Sequence, residues 1–378
     1  MKITLDHATL AEAVGWAANS LPRRPALPVL AGMRLTAGKT GLTLSSFDYD
    51  TSSLVRITAD VGEPGECLVS GRMLAQIAAS LPAKPVSIAV DGQRVTVTCG
   101  SATFSLLTMP VEDYPPLPAM PEPAGTLGSD TWAQAVAQAT VAAGRDDTLP
   151  ALTGVRIEID GDTLTLIATD RYRLAVRTVK WAPSRPDLTA QLLVPAATLA
   201  NTAKSLTSGA EVSIALALPG EDGSGGEGMI GFEGAGRQAT TRLLGGDFPR
   251  YAALMPKSIS GTAEIAAAPF AEAVKRVALV AERNTAVRLS FTAGEVLLEA
   301  GTGDEASAAE SLDADYDGEG IQIAFNPAYL LDGLTAIGSD VARVAFTEPG
   351  KPALITGAAE GDGVPDYRYL LMPIRLGG

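Results

Sequence analysis

The sequence predicts an α+β fold in which one two-layer unit, two helices on antiparallel sheet, is repeated three times along 378 residues. Three observations predict it. Phrases recur in a fixed order at a spacing of about 120–130 residues. Helix-period and strand-period apolar patterns alternate within each copy. Proline-rich joints, Leu117-Pro-Ala-Met-Pro-Glu-Pro123 and Phe248-Pro-Arg-Tyr-Ala-Ala-Leu-Met-Pro256, stand between the copies, where proline can continue neither helix nor sheet ladder. A long internal period decides architecture before any single motif is weighed. The expected domains are 1–122, 123–252 and 253–378, each two helices packed on antiparallel strands.

The elements follow in chain order. An opening helix has Leu10, Val14, Ala17 and Leu21 on one face. The first recurring phrase then opens a strand: Gly32-Met-Arg34-Leu35, Gly154-Val-Arg156-Ile157 and Ala286-Val-Arg288-Leu289. A second phrase is a strand ending in an acidic turn, Leu42 to Asp48, Leu164 to Asp170 and, most loosely, Val296 to Asp304. The third joins a strand to a second helix: Leu68 to Leu81, Leu193 to Leu206 and Ala324 to Ile337. Ser70 and Asn326 stand where helix N-caps belong, and Pro327 at a first helical position. Period-two runs such as Val95-Thr-Val-Thr-Cys99 complete each copy.

Composition bounds the function. The chain is 46% apolar, and its 39 glycines and 25 prolines are scattered rather than gathered in tracts, so it reads as globular throughout. The start, Met1-Lys-Ile-Thr-Leu-Asp-His7, lacks a secretion-signal layout, and no run nears the ~18 apolar residues of a membrane span; a cytoplasmic protein is expected. Cys67 and Cys99 lie far apart in apolar stretches and read as reduced, buried thiols. The net charge of −14 argues against a simple basic nucleic-acid binder. Six helix windows (9–24, 70–84, 130–147, 195–208, 269–284, 326–340) nevertheless hold nine Lys/Arg against eight Asp/Glu, so the acidity belongs to strands and loops.

None of the sequence's local motifs meets the requirements of a site of chemistry. The single histidine, His7, excludes a two-histidine metal site and makes a Ser-His-Asp device improbable. Gly38-Lys39-Thr40 has strand patterns on both flanks and reads as a hairpin turn, because a phosphate loop must open a helix. Gly223 to Gly228 matches a dinucleotide fingerprint only formally, since Glu221, Asp222 and Glu227 would repel a pyrophosphate. Asp313-Ala-Asp315-Tyr-Asp317-Gly318 begins like a calcium loop but has Ala324 where the bidentate Glu belongs, and reads as a solvated turn. Asp146, Asp147 and Asp170 also read as solvated turns, with a metal-dependent phosphodiesterase as the alternative of another class. No metal or cofactor is expected.

Several phrases together carry a resemblance: Arg24-Pro-Ala-Leu-Pro28, Leu152-Thr-Gly154, Ala168-Thr-Asp170-Arg-Tyr-Arg173-Leu174, Phe325-Asn326 and Tyr369-Leu-Leu-Met-Pro-Ile-Arg-Leu376. Over essentially its whole length the chain resembles the β subunit of bacterial DNA polymerase III, the sliding-clamp family. The resemblance implies a DNA-clamp fold and a ring-shaped, head-to-tail homodimer. Such a ring encircles duplex DNA as a non-catalytic processivity factor, and tethers the replicative polymerase, the clamp loader and other proteins bearing clamp-binding peptides.

By position the implied dimer contact falls on Phe104, Leu106, Leu279 and Val280, and the DNA contacts on Arg24, Arg72 and Lys204. The implied peptide groove between domains two and three comprises Leu152, Thr169, Arg171, Tyr172, Arg173, Leu174, Pro249, Asn326, Tyr329, Met372, Pro373, Ile374, Arg375 and Leu376. Pro150-Ala151 stands where some members carry DNA-stacking aromatics. A paralogue conferring resistance to a clamp-directed antibiotic is the related alternative. Ring geometry agrees: twelve helices at about 10 Å spacing enclose a hole of roughly 28 Å, wider than a duplex of roughly 20 Å.

Overall fold

The computed structural model describes residues 1–207, 209–218, 228–281, 286–301, 306–358 and 364–375. Among these are six α-helices: α1 (His7–Ala17), α2 (Gly71–Ser80), α3 (Ser129–Thr140), α4 (Ala196–Ser205), α5 (Ala267–Val277) and α6 (Pro327–Ala336). Each overlaps an expected window and ends short of its C-terminal bound, while α1, α3 and α5 begin one or two residues before it. Pro22 and Pro82 follow the ends of the first two, where the residue before a proline is pushed out of helical geometry. Beyond α6 the chain turns at Gly338, whose φ of +63° suits glycine.

Caps separate the expected from the observed. Asp6 accepts from the Thr9 amide at 3.0 Å at the start of α1, and Asn326 accepts from the amides of Ala328 and Tyr329 at 2.9 and 3.3 Å, with Pro327 first in α6. Ser70 occupies the N-cap position of α2, but its side chain makes no capping bond.

The pairing of strands repeats as the phrases do. In each repeat the opening strand pairs with the first strand after the second helix: Lys2–Leu5 with Val86–Asp91, Glu122–Gly128 with Glu211–Ala217, Gly261–Ala266 with Val341–Phe346. The strand after the first helix pairs with the one leading into the second: Gly32–Gly38 with Gly65–Ser70, Gly154–Asp160 with Thr189–Pro195, Val287–Thr292 with Ile321–Phe325. All these pairs are antiparallel.

The chain gathers into two compact units, one of residues 1–133, 181–188 and 197–244 and the other of 134–180, 189–196 and 245–378. Each unit holds one continuous sheet, of fourteen and twelve strands among the described residues. In the first unit the sheet crosses from repeat to repeat where Thr51–Ile57 pairs with Arg237–Arg242. In the second it crosses where Arg173–Lys180 pairs with Tyr367–Leu371. Helix faces and inward strand positions are fully buried, such as Leu10, Met33 and Ile88 in one unit and Ile157, Phe270 and Phe325 in the other. Each such side chain contributes roughly 1.5–3 kcal/mol through removal from water.

Among the small motifs, Lys39-Thr40 is the expected hairpin turn between Gly32–Gly38 and Gly41–Phe47. Gly41 has φ +134°, and a Cβ there would stand 2.2 Å from the Ile57 carbonyl oxygen, so only glycine fits. Asp313 to Gly318 is not a turn: it lies within the eleven-residue strand Ala308–Gly318, its acids on exposed positions while Ala314 is buried. Cys67 and Cys99 are free and buried, and burial pushes the Cys67 thiol up to about 11. Residues 221–227 of the glycine-rich motif, Asp304 and Leu376 lie outside the described residues. No helix among the described residues is long and apolar enough to cross a membrane.

Candidate functional site

The site is built on the turn that follows strand Thr163–Thr169. Asp170 Oδ1 accepts from the amides of Tyr172 and Arg173, both at 3.0 Å. Thr169 Oγ1 donates to the Arg173 carbonyl at 2.7 Å and accepts from the Arg171 amide at 3.2 Å. These local bonds hold Arg171 in the left-handed region, at φ 79°. Arg171 and Tyr172 are thereby turned outward while the Arg173 side chain is turned in, 6% exposed.

Arg173 is the hub. Its Nε donates to Asp170 Oδ2 at 2.9 Å and its Nη1 to Asp332 Oδ2 at 2.5 Å. The guanidinium lies 4.3 Å from the centre of the Tyr329 ring, a favourable stacking for a partly desolvated cation. Tyr369 donates its hydroxyl to the Tyr329 carbonyl at 2.8 Å. Burial works against the charge of Arg173, but the Asp332 carboxylate, with Tyr369 and Asp170, more than offsets it and holds its pKa above the ordinary arginine range. Burial is also the main reason the Tyr369 hydroxyl is raised well above the usual phenol range. Gly333 makes room for this arrangement, because a Cβ there would stand 2.5 Å from the Tyr369 ring.

Around the hub opens a cavity of about 640 Å³, lined by Ala143, Gly144, Arg145, Asp146, Leu149, Leu152, Asp170, Arg171, Tyr172, Arg173, Ala328, Tyr329 and Asp332. Its volume is that of a small-ligand or side-chain pocket. The Leu152 wall is fixed by the Gly144 amide donating to the Leu152 carbonyl at 2.7 Å. Tyr172, 55% exposed, stacks on Tyr329 with ring centres 6.3 Å apart. Arg145 and Arg171 line the cavity and enter no salt bridge among the described residues, with Arg171 close enough to Asp146 to favour its charged form. The surface thus combines apolar and aromatic groups with three arginines and three aspartates.

Five of the fourteen groove residues expected from the resemblance line this cavity: Leu152, Arg171, Tyr172, Arg173 and Tyr329. Thr169 and Asn326 act one layer behind, as turn and cap. Leu174 is buried with Ile167, Val176 and Leu370, against which Phe248 and Tyr251 pack, and Pro249 is half-buried between those two aromatics in sequence. Met372, Ile374 and Arg375 are exposed, Pro373 is half-buried, and the segment is pegged by the Met372 amide on the Tyr172 carbonyl and the Ile374 amide on the Ala324 carbonyl. Asp332, Tyr369 and Arg145 were missed. Asp332 had a signal, since it follows Tyr329 by three residues on a helix and so shares its face.

Asp146 and Asp170, candidates for acid–base or metal work, have structural partners. Asp146 accepts from the hydroxyl and amide of Thr148, which hold its carboxyl below the ordinary range. Asp170 is not a solvated turn residue but half-buried against Arg173.

The other expected sites lie elsewhere. Arg24, Arg72 and Lys204 are exposed. Arg72 donates to the Pro22 carbonyl at 2.7 Å, which brings it beside the Arg24 segment, whereas Lys204 stands in the last turn of α4. On strand Ala102–Met109, Phe104 is half-buried and Leu106 buried, while Leu107, not singled out, is 66% exposed. Leu279 is 84% exposed, and Val280 half-buried, in the single 3₁₀ turn after α5.

Fold and cavity define a class of protein: a repeated α+β clamp scaffold that offers a ligand groove beside the turn of one repeat and the second helix of the next. Three family models match in succession: the N-terminal, central and C-terminal domains of the DNA polymerase III beta subunit, over residues 1–118, 126–250 and 252–375. The chain therefore belongs to the DNA polymerase III beta subunit family, the bacterial sliding clamps, which are non-catalytic accessory subunits. It is 58% identical to the beta sliding clamp of Streptomyces coelicolor and 42% identical to the beta sliding clamp homolog GriR of Streptomyces muensis, each over 100% of both chains. Among solved structures it resembles the DNA polymerase sliding clamp of Bacillus subtilis (26% identity, TM-score 0.89) and the Pseudomonas aeruginosa clamp bound to griselimycin (28%, TM-score 0.87), again over 100% of both chains.

Proposed function

We propose that two copies of this chain close head to tail into a ring around duplex DNA, and that the cavity at Arg173 receives peptides of the replicative polymerase, the clamp loader and other partners. The observation that carries this is a pairing the chain leaves unfinished. Twice within the chain, the third strand of one repeat's four-stranded group pairs with the last strand of the next repeat: Thr51–Ile57 with Arg237–Arg242, and Arg173–Lys180 with Tyr367–Leu371. The third repeat's equivalent, Ala308–Gly318, pairs along Ala308–Ala314 only with Gly294–Ala300 among the described residues. The first repeat's last strand, Ala102–Met109, pairs along Ala102–Leu107 only with Arg94–Cys99. Joining these two edges between copies repeats the internal junction and closes a cycle, as a heterologous interface can. Leu107 and Leu279, both strongly exposed, are the apolar groups such a contact would cover.

The three domains run 1–122, 123–252 and 253–378, and Arg24, Arg72 and Lys204 meet phosphates without reading sequence. The protein acts in the cytoplasm. Its higher identity to the Streptomyces coelicolor clamp than to the GriR homolog favours the replicative role over that of an antibiotic-directed paralogue. A ring held by topology needs no tight DNA contact, so a net charge of −14 is no obstacle.

Light scattering tests closure: the expected species is two chains, and Leu107→Lys with Leu279→Glu, each charged alone, shifts it toward one. Retention tests the ring: after loading, the protein stays on nicked circular DNA and is lost when that DNA is linearised. Equal retention on both forms defeats the proposal.

A further inference from the structure

The second helix of every repeat ends at a matching residue: the third recurring phrase places Ser80, Ser205 and Ala336 last in α2, α4 and α6. The last carbonyls of a helix have no partner within it and need a donor from elsewhere. At both internal junctions one arrives. Arg237 donates from Nη1 to the Ser205 carbonyl and from Nη2 to Glu12 on α1, its guanidinium 5.7 Å from the centre of the Trp16 ring. Gln138, on α3, donates from Nε2 to the Ala336 carbonyl at 2.7 Å. Ser80 is exposed, and its carbonyl meets no donor among the described residues.

The repeat says which residue is aligned with that third carbonyl. The buried Leu10, Ala13, Val14 and Ala17 of α1 match Trp132, Ala135, Val136 and Ala139 of α3, and Phe270, Ala273, Val274 and Val277 of α5. Trp16, Gln138 and Arg276 therefore hold one helix position. The strands give the register. Leu42, Leu164 and Val296, matched by the second phrase, stand opposite Ile57, Val179 and Leu312. Val55, Arg177 and Glu310, two residues before these, are thus equivalent. At the internal junctions Val55 pairs with Arg237 and Arg177 with Tyr367, each the first residue of its repeat's last strand. The first repeat's last strand begins at Ala102, which is too small to do what Arg237 does.

Arg276 has the reach that Ala102 lacks. Its side chain is 56% exposed, and its Nε and Nη2 donate to Glu310 at 3.0 and 2.6 Å. Its Nη1, the atom with which Arg237 meets Ser205, makes no bond among the described residues. We propose that Arg276 crosses between two copies and donates to the carbonyl of the partner's Ser80, closing the partner's α2 as Arg237 and Gln138 close α4 and α6. Glu310 then lies opposite the partner's Ala102, and Ala309 opposite the partner's Thr103. The contact rests on head-to-tail closure of the ring. A cation at a helix C-terminus also meets the negative pole of that helix, and a charge-assisted bond is stronger than a neutral one.

The test uses full-length protein and sedimentation equilibrium over a dilution series. Wild type is expected as two chains. Arg276→Met should raise the dissociation constant about tenfold or more. Arg276→Gln, which copies the residue of the second junction, should raise it less. Glu310→Gln, which keeps the donor and removes only its partner within the chain, should also raise it less. Register is read separately by mild oxidation. Thr103→Cys with Ala309→Cys should cross-link the copies, since opposed residues bring their Cα atoms within disulfide range, and Thr103→Cys with Asp313→Cys should not. A wild-type chain that stays single at every concentration defeats closure and this contact with it. A wild-type pair unaffected by Arg276→Met, an equal loss in Glu310→Gln, no recovery in Arg276→Gln, or no preference for the Ala309 cross-link overturns the contact while closure stands.

Discussion

The same turn occurs at both places where the sheet crosses between repeats, and the two copies serve different ends. In the first, Asp48 Oδ1 accepts from the amides of Asp50 and Thr51 at 3.0 and 2.7 Å, the Asp48 amide donates to the Thr51 carbonyl at 3.2 Å, and Tyr49 sits at φ 77°. In the second, Asp170 Oδ1 accepts from Tyr172 and Arg173, its amide donates to the Arg173 carbonyl at 3.3 Å, and Arg171 sits at φ 79°. The backbone device is one. The three residues after the aspartate differ, and the fourth differs most in what it reaches. Thr51 meets the Thr241 hydroxyl at 3.3 Å, beside a Ser52–Thr240 hydroxyl pair at 2.6 Å, so the buried part of that junction is sealed by short neutral contacts, while Arg242 meets the Tyr49 carbonyl and Asp50 at its exposed end. Arg173 reaches past its strand to Asp332 on a helix, and a cavity stands beside it. The comparison teaches that the aspartate at the turn's first position makes the junction, while the residue three positions later decides whether a ligand surface is built on it.

The sharpest way to break that reading is to make the two fourth positions alike. Arg173→Met leaves Asp170 half-buried and Asp332 unpaired, and should cost about 3 kcal/mol, the lower end of what a broken buried ion pair costs, because Asp332 is partly solvated. Thr51→Ala should cost about 1 kcal/mol or less. Urea unfolding compares them, and peptide affinity should fall only for Arg173→Met. Equal costs would mean that Arg173 is an ornament on a junction that needs only its turn.

Gly333→Ala comes next. The added Cβ would press on the Tyr369 ring, which is 0% exposed and has nowhere to retreat. The expected loss is about 2 kcal/mol from overpacking, with Tyr369 pushed off the Tyr329 carbonyl. A wild-type unfolding midpoint in that variant would show that α6 moves freely on the sheet.

Alkaline pH separates the two units more gently. Burial pushes the Tyr114 hydroxyl of the first unit up to about 12, and burial likewise raises Tyr367 and Tyr369 of the second. A phenol raised in the folded state lends stability that is complete below its ordinary pKa of about 10 and is lost as pH climbs toward the folded value. Each such group steepens the loss by about 1.4 kcal/mol per pH unit. Tyr114→Phe and Tyr367→Phe should each flatten the dependence by one proton. The Tyr367 hydroxyl has no hydrogen-bond partner among the described residues, so Tyr367→Phe should not cost stability at neutral pH. Unfolding free energies from about pH 9 to 11.5 check this, and an unchanged slope in both variants would remove the tyrosines from the account.

Much of this was legible in the residues. The second phrase placed Asp48 and Asp170 at one point of one turn, and Asn326 at the head of α6 was readable as a cap because capping is a local geometry. Ser70 looked the same, but its side chain makes no capping bond. Asp332 was unreadable as the partner of Arg173, 159 residues away, because no local pattern records so distant a pairing. Phe104 and Leu106 were named by position in the resemblance; Leu106 is buried, and the exposed Leu107 beside it lies on the other face of the same strand. Asp313 to Gly318 looked like a turn because acidic residues are poor strand formers, yet they only decorate the open side of a strand whose Ala314 faces the core.

The smallest effect probes the sealed junction itself. Ser52 Oγ and Thr240 Oγ1 are both buried and satisfy one another at 2.6 Å. Removing one hydroxyl strands the other away from water, so Ser52→Ala or Thr240→Val alone should each cost about 1 kcal/mol, the price of an unmet buried polar group. Removing both leaves nothing to satisfy, and the double variant should cost less than the sum of the two, with a coupling of about 0.5–1 kcal/mol between directly bonded neighbours. The second junction offers no such cancellation, because Arg173 is shared among Asp170, Asp332 and Tyr369 and no single partner change relieves its charge. Strictly additive losses at Ser52 and Thr240 would therefore erase the distinction between a junction closed by exchangeable neutral pairs and one organised around a buried cation.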